Sequence, residues 1–186
     1  MMPFPIFQKK YSLISIVFCI SILFSACHHE STPQSELKVK PKDGVCLTKE
    51  FENNIWRFPL VGDVPDKTIV FKASVPDPDA LYKVSLLVDY FTDIATDNLH
   101  LSITTITPDG HSSWNSNIAL LFNDDKDAKE IGNVNGKKIN RITKELYNSR
   151  KMDESGEYTF EVYSSYTKMS LYGIKSISLK VEKQKE

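Results

Sequence analysis

Residues 81–91 read LYKVSLLVDYF, and this stretch decides the fold class. Large apolar side chains alternate with Lys83, Ser85 and Asp89, which is the period-two pattern of a half-buried β-strand. An amphipathic helix would instead repeat its apolar positions about every 3.6 residues. We therefore predict a strand with one face on a core and the other in solvent. The apolar face comprises Tyr82, Val84, Leu86, Val88 and Tyr90.

The same alternation recurs along the rest of the chain. Similar runs occupy residues 68–75, 99–104, 158–162 and 175–181. An earlier strand is expected to contain Trp56, Phe58 and Leu60. Pro, Asp and Gly residues suited to turns separate these runs. Many short strands, with no strong amphipathic helix, predict an all-β fold over residues 46–186: an antiparallel β-sandwich of jelly-roll or immunoglobulin-like form.

Two local contacts follow from the turn residues. Residues 98–106 and 112–122 flank a Pro-Asp-Gly triplet closely enough to form a hairpin. Residues 153–160 read DESGEYTF, which is similar to the tyrosine corner of immunoglobulin-like sandwiches. In such a corner the Tyr158 hydroxyl satisfies a backbone group where the chain crosses between sheets, so Tyr158 is expected to be structural.

Two other segments are less regular. Residues 139–147 carry apolar positions that fit a helix or a strand, and the poor helix formers Asn140 and Thr143 favour a strand. Residues 132–136 read GNVNG but lack the strand, helix and spacing of a dinucleotide-binding loop, so they indicate a turn.

The amino terminus has the layout of a bacterial lipoprotein signal. Lys9 and Lys10 precede an apolar run over residues 11–24, which is short for a spanning helix, and small residues then meet Cys27. This layout implies that the Cys27 thiol receives diacylglycerol and becomes the new amino terminus. Ordinary secretion with cleavage after Ala26, or an uncleaved membrane anchor, are the alternatives.

The segment after Cys27 is polar. Residues 28–43 have little apolar content to offset the entropy cost of ordering, so they are interpreted as a flexible tether. His28 and His29 lie in this spacer without the fixed ligand set that zinc needs. The expected organisation is a signal peptide over residues 1–26, a lipidated cysteine and tether over 27–45, and the sandwich over 46–186.

Charge and cysteine content exclude several classes of protein. Removal of the signal takes two lysines and no acid, which leaves 21 basic and 24 acidic residues and a charge of −3, so no nucleic-acid partner is expected. Cys19 leaves with the signal and Cys27 is blocked by lipid, so Cys46 has no intramolecular partner. Cys46 is interpreted as a small buried or half-buried hydrophobe without a role.

No catalytic constellation is expected, and hence no enzyme. No serine lies in a Gly-Xaa-Ser-Xaa-Gly elbow. His100 falls on the polar face of its strand and His111 follows a turn glycine, so both are expected to face solvent.

Neither a metal nor a cofactor is expected. Residues 123–127 read NDDKD, like the start of a calcium loop, but Ala128 and Val134 stand where that loop needs glycine and a bidentate glutamate. Trp114 is a candidate sugar-stacking platform, although an aromatic residue in a strand is more often core or a cross-strand partner.

Several segments, taken in order, are similar to the gliding-motility-associated lipoprotein H family. They are Cys27, Trp56, and residues 82–88, 155–160 and 171–182. The Gly-Glu-Tyr-Thr-Phe and Leu-Xaa-Gly-Ile segments contribute most to this resemblance. This resemblance implies a small β-sandwich lipoprotein of the cell envelope, associated with the gliding and protein-secretion apparatus and without enzymatic activity.

We therefore expect a lipid-anchored, non-catalytic accessory or scaffold component of a gliding-motility or protein-secretion type assembly. Its expected partners are a membrane, through the lipid on Cys27, and one or more envelope proteins. No strong acidic export tag follows Cys27, which favours a domain that faces the periplasm. The alternative function is that of a surface carbohydrate-binding lipoprotein that uses Trp114.

Overall fold

Thirteen β-strands and one short 3-10 turn (Glu52–Asn54) make up the part of the chain that the computed structural model describes, which is residues 44–111, 113–123, 126 and 128–184. The first seven strands are β1 (Val45–Glu50), β2 (Ile55–Arg57), β3 (Leu60–Val61), β4 (Val64–Pro65), β5 (Thr68–Val75), β6 (Leu81–Phe91) and β7 (Asn98–Ile106). The others are β8 (Ser113–Leu121), β9 (Lys129–Val134), β10 (Lys137–Lys151), β11 (Gly156–Ser164), β12 (Ser170–Tyr172) and β13 (Ile174–Lys183).

The strands form two main sheets and two small ribbons. The five-stranded sheet has the order β1-β13-β6-β10-β9, and the four-stranded sheet has the order β5-β11-β7-β8. The ribbons pair β12 with β2 and β3 with β4. All these pairs are antiparallel, so the expected all-β sandwich is confirmed.

One apolar core lies between the two sheets. Leu86 and Ile177 enter it from the five-stranded sheet, and Ile103 and Phe160 enter it from the four-stranded sheet. All four are fully buried, and burial of such a side chain contributes roughly 1.5–3 kcal/mol. Because Cys46 is a free cysteine, apolar burial holds the described fold together without a disulfide.

The central strand β6 is more buried than its sequence predicts. Ser85 and Asp89, expected in solvent, are only 2% and 6% exposed. The half-buried prediction is wrong at these two residues, because β6 lies in the middle of its sheet with a strand on either side, whereas Lys83 stays partly exposed. Arg141 on β10 donates to both Asp89 carboxylate oxygens, from Nε at 2.6 Å and Nη2 at 2.8 Å. These bonds raise the pKa of the Arg141 guanidinium.

The strand directions define two ends of the sandwich. At the entry end the chain comes in through Val45, and it returns there through Gln184, whose N–H bonds the carbonyl of Leu81 at 2.8 Å. At the opposite, apical end the ribbon of β2 and β12 closes the core with Trp56, Phe58 and Leu171, all buried.

The prediction of one strand that contains Trp56, Phe58 and Leu60 is correct only for Trp56, because β2 ends at Arg57. The chain leaves β2 before Pro59, which has no N–H to donate to a ladder. Leu60 instead begins a separate hairpin, β3–β4, and its side chain is exposed.

The ambiguous segment around residues 139–147 is a strand, as favoured, but a longer one. β10 runs for 15 residues and carries register shifts near Tyr147 and Arg150, where bulges bend the strand.

The turn interpretation of residues 132–136 holds only in part. Residues up to Val134 belong to β9, and the reversal takes place at Asn135 and Gly136, which adopt φ values of 52° and 81°.

The hairpin predicted around the Pro-Asp-Gly triplet is confirmed. β7 pairs with β8 from Asn98 opposite Leu121 to Ile106 opposite Ser113. In the turn, Asp109 Oδ1 accepts hydrogen bonds from the Thr107 hydroxyl at 2.6 Å and from the His111 N–H at 2.9 Å. The bond from Thr107, followed by that from His111, lowers the pKa of the Asp109 carboxyl.

The tyrosine corner is also confirmed, at the crossing from β10 to β11. The fully buried Tyr158 hydroxyl donates to the carbonyl of Glu154 and accepts from the N–H of the same residue, both at 3.1 Å. Burial raises the pKa of the phenol. The corner thus satisfies both backbone groups of a residue at the point where the chain changes sheets.

Tyr158→Phe is expected to lower the free energy of unfolding by about 1–2 kcal/mol, because it removes both bonds and leaves the partly buried backbone groups of Glu154 without this partner. Urea unfolding of the purified protein measures this change. Tyr163→Phe, on the exposed face of the same strand, is the matched control and should unfold like the wild type. Equal midpoints for the two variants would contradict a structural role for the corner.

Candidate functional site

Cys27, the predicted lipid-attachment residue, lies outside the described residues, so that assignment stays a prediction. Cys46 is described, and it is exposed on edge strand β1 opposite Lys180. Its interpretation as a buried or half-buried hydrophobe is wrong, because its position in the strand points to the outer face of the sheet. His100 and His111 are both exposed, as expected.

Trp114 does not present a free aromatic face. The guanidinium carbon of Arg150 lies 4.1 Å from the centre of the indole ring. The rings of Tyr147 and Tyr158 approach edge-on, with centroids 6.0 and 6.1 Å away. The bends in β10 bring Tyr147 and Arg150 to this position beside β8. Trp114 is therefore a half-buried cross-strand partner with Arg150 over its ring, and the carbohydrate-binding alternative stays a prediction.

The expectation that the acidic segments hold no metal stays a prediction. Asp124, Asp125 and Asp127 of the calcium-like segment lie outside the described residues. Among the residues that are described, no group of His, Cys, Asp and Glu side chains is placed to hold a metal ion. Asp77 bonds the N–H of Asp79 at 3.2 Å within a turn.

A shallow depression of about 390 Å³ lies on the outer face of the four-stranded sheet, where β7, β8 and β11 meet. Its polar lining includes His100, Ser102, Asn117 and Tyr163. These groups can donate and accept hydrogen bonds, but they provide no nucleophile held by a base. The described part of the chain contains no helix that could span a membrane.

The most unusual surface of the described domain is the hairpin of β3 and β4, residues 60–65, which we call the apical hairpin. Leu60, Val61 and Val64 are 58%, 69% and 69% exposed. Its two strands pair only with each other. Met169 and Tyr172, also exposed, lie at the same end, and the Met169 carbonyl accepts the N–H of Phe58 at 3.0 Å.

Sequence reasoning missed this surface because it assigned Leu60 to a core strand. The signal that was present is the pair of prolines around Leu-Val-Gly-Asp-Val, since Pro59 and Pro65 disfavour a continuous central strand. Gly62 has φ of 63°, a left-handed conformation that suits glycine at a tight reversal.

The fold and these surfaces define a class: an antiparallel β-sandwich domain that offers exposed sheet faces and an apolar end for contact. The chain belongs to the GldH lipoprotein family, whose model matches residues 48–181, from β1 to β13. The resemblance noted in the sequence is thereby confirmed. The protein is a gliding-motility-associated lipoprotein of the bacterial envelope.

Other comparisons add little. No curated protein matches the chain. The chain is similar to part of a solved structure, the dimeric latent PorU from Porphyromonas gingivalis, with 10% sequence identity and a TM-score of 0.33. The match covers 76% of this chain and 13% of the PorU chain. An overlap this weak supports no inference about function.

Proposed function

We propose that the protein is a non-catalytic, lipid-anchored accessory or scaffold component of a gliding-motility or protein-secretion assembly. The observation that supports this most strongly is the family match over nearly the whole sandwich. The geometry is compatible with such a role, since the described domain offers exposed faces and an apolar end.

Anchoring would act by confinement. A lipid on Cys27 restricts the domain to one membrane surface, which raises its effective concentration for a partner held there. The residues from Cys27 to Val45 can span at most roughly 65 Å when fully extended. The sandwich can therefore reach a partner that projects a few nanometres from the membrane.

The proposed partners are envelope proteins, and the proposed location of the domain is the periplasmic side of its membrane. The absence of a strong acidic tag directly after Cys27 supports the orientation. The mature charge of −3 favours protein partners over nucleic acid.

Deletion of the gene in the native host is expected to abolish surface spreading and to reduce protein secretion, because an assembly that lacks a scaffold component loses function. A copy supplied in trans should restore both. Colony spreading and the amount of secreted protein in the medium are the measurements. A deletion strain that spreads and secretes like its parent would refute the proposed function.

A further inference from the structure

We propose that the apical hairpin is the docking element of this protein, and that it inserts into an apolar pocket of an envelope protein whose rim carries a cation for Asp63. The inference rests on the function proposed above and names the surface that this function would use.

The first support is exposure that the fold does not require. The core beneath the hairpin is already closed, because Phe58 on one side is buried and stacks edge-on with Trp56 at a centroid distance of 5.1 Å. Leu60, Val61 and Val64 lie beyond this closure and add nothing to the core cluster. Apolar side chains grouped on a protruding element are typical of a protein interaction site.

The second support is that hydrogen bonds fix the residues where the hairpin joins the sandwich. The Asp66 N–H bonds the carbonyl of Pro59 at 2.6 Å and closes the hairpin. Asp66 Oδ1 accepts the N–H of Thr68 at 3.0 Å, and the Lys67 carbonyl accepts the N–H of Ser164 at 3.0 Å. These bonds hold the hairpin to the four-stranded sheet, so docking costs little ordering of the backbone.

The position and charge of the hairpin indicate which kind of partner it binds. The chain enters the sandwich at Val45, so the hairpin lies at the end of the described domain opposite this entry point. Asp63 stands at the reversal between Val61 and Val64, and a carboxylate there disfavours insertion into hydrocarbon. A contact between the tips of two copies would bring two Asp63 carboxylates together. A protein pocket with a cationic rim avoids both penalties.

Site-specific photo-crosslinking in the native host tests the inference. The full-length protein carries p-benzoyl-phenylalanine in place of Val61 or, separately, Val64. Leu81, an exposed apolar residue at the entry end, is the matched control position. We expect the probe at position 61 and the probe at position 64 each to give an adduct of discrete mass with the same envelope protein. Each adduct should be at least tenfold more abundant than any adduct formed by the probe at position 81.

A second variant tests whether the negative charge of Asp63 contributes to docking. With the probe at Val64, Asp63→Lys is expected to reduce the adduct at least tenfold, whereas Asp79→Lys, in an exposed turn at the entry end, should leave it unchanged. The circular dichroism of both variants should match that of the wild type, since both side chains are exposed.

Other outcomes overturn the inference. An adduct with lipid alone would indicate a membrane contact, and one of twice the mass of the chain would indicate a second copy. Equal adducts from Val61 and Leu81, or none, would show that the hairpin is not the docking element. If the deletion strain nevertheless loses spreading, the proposed function stands and only the docking surface is wrong. If that strain behaves like its parent, the proposed function fails as well.

Discussion

Cys27→Ala is expected to abolish labelling of the protein with palmitate and to move it from the membrane fraction to the soluble fraction. Each buried methylene of a lipid chain contributes about 0.8 kcal/mol, so two chains hold a protein stably whereas a single chain holds it only marginally. With alanine at position 27 there is no thiol to receive diacylglycerol. Metabolic labelling followed by membrane fractionation measures both effects.

Cys46→Ala is the matched control for this experiment. Cys46 is the free, exposed thiol of the described domain, and its removal should leave labelling and fractionation unchanged. In the wild type, globomycin should cause a lipid-modified precursor to accumulate. A wild-type protein that is soluble, unlabelled and cleaved after Ala26 would instead establish ordinary secretion.

Gly173→Ala is expected to lower the free energy of unfolding by about 3 kcal/mol, which combines the cost of a left-handed backbone at alanine with that of overpacking. Gly173 has φ of 91°, and a Cβ there would lie 2.6 Å from Cα of Ile94. A backbone atom cannot rotate aside as a flexible side chain can. The Gly173 N–H also bonds the Asn54 carbonyl at 2.9 Å, and its own carbonyl accepts the Phe91 N–H at 2.8 Å.

Gly136→Ala separates the two causes. Gly136 has a similar φ of 81°, but no atom lies within 4 Å of a Cβ built there. This variant should therefore lose only about 1 kcal/mol, the cost of the left-handed conformation. Urea unfolding of both variants under the same conditions gives the comparison. If the two losses are equal, the close approach of Ile94 has no energetic consequence.

The sequence predicted the features that depend on consecutive residues. The alternation along residues 68–75 and 81–91 identified the side chains that face the core, because a strand turns every second residue to the same side. The acidic turn before Tyr158 identified the corner, because its hydrogen bonds join residues only four positions apart. Gly173 belongs to the Leu-Xaa-Gly-Ile segment that resembles the family. The need for glycine there comes from the proximity of Ile94, which is distant in sequence and so not visible in a local pattern.

The apical hairpin shows where local patterns fail. Leu60 and Val61 have the composition of a core strand, and only the absence of a neighbouring sheet strand leaves them in solvent. Trp114 has a side chain suited to a binding platform. Its contact with Arg150 depends on the irregular register of β10, which the local sequence does not show.

The sequence by itself determined the antiparallel sandwich, the inward-facing side chains and the tyrosine corner. Only the tertiary structure decided that Asp89 is buried against Arg141, that Cys46 is exposed and that the apical hairpin stands free. The physical reason is that alternation records which side of a strand is apolar, whereas burial also depends on which strands lie beside it. Those neighbours are set by contacts such as that between Asp89 and Arg141, which are 52 positions apart.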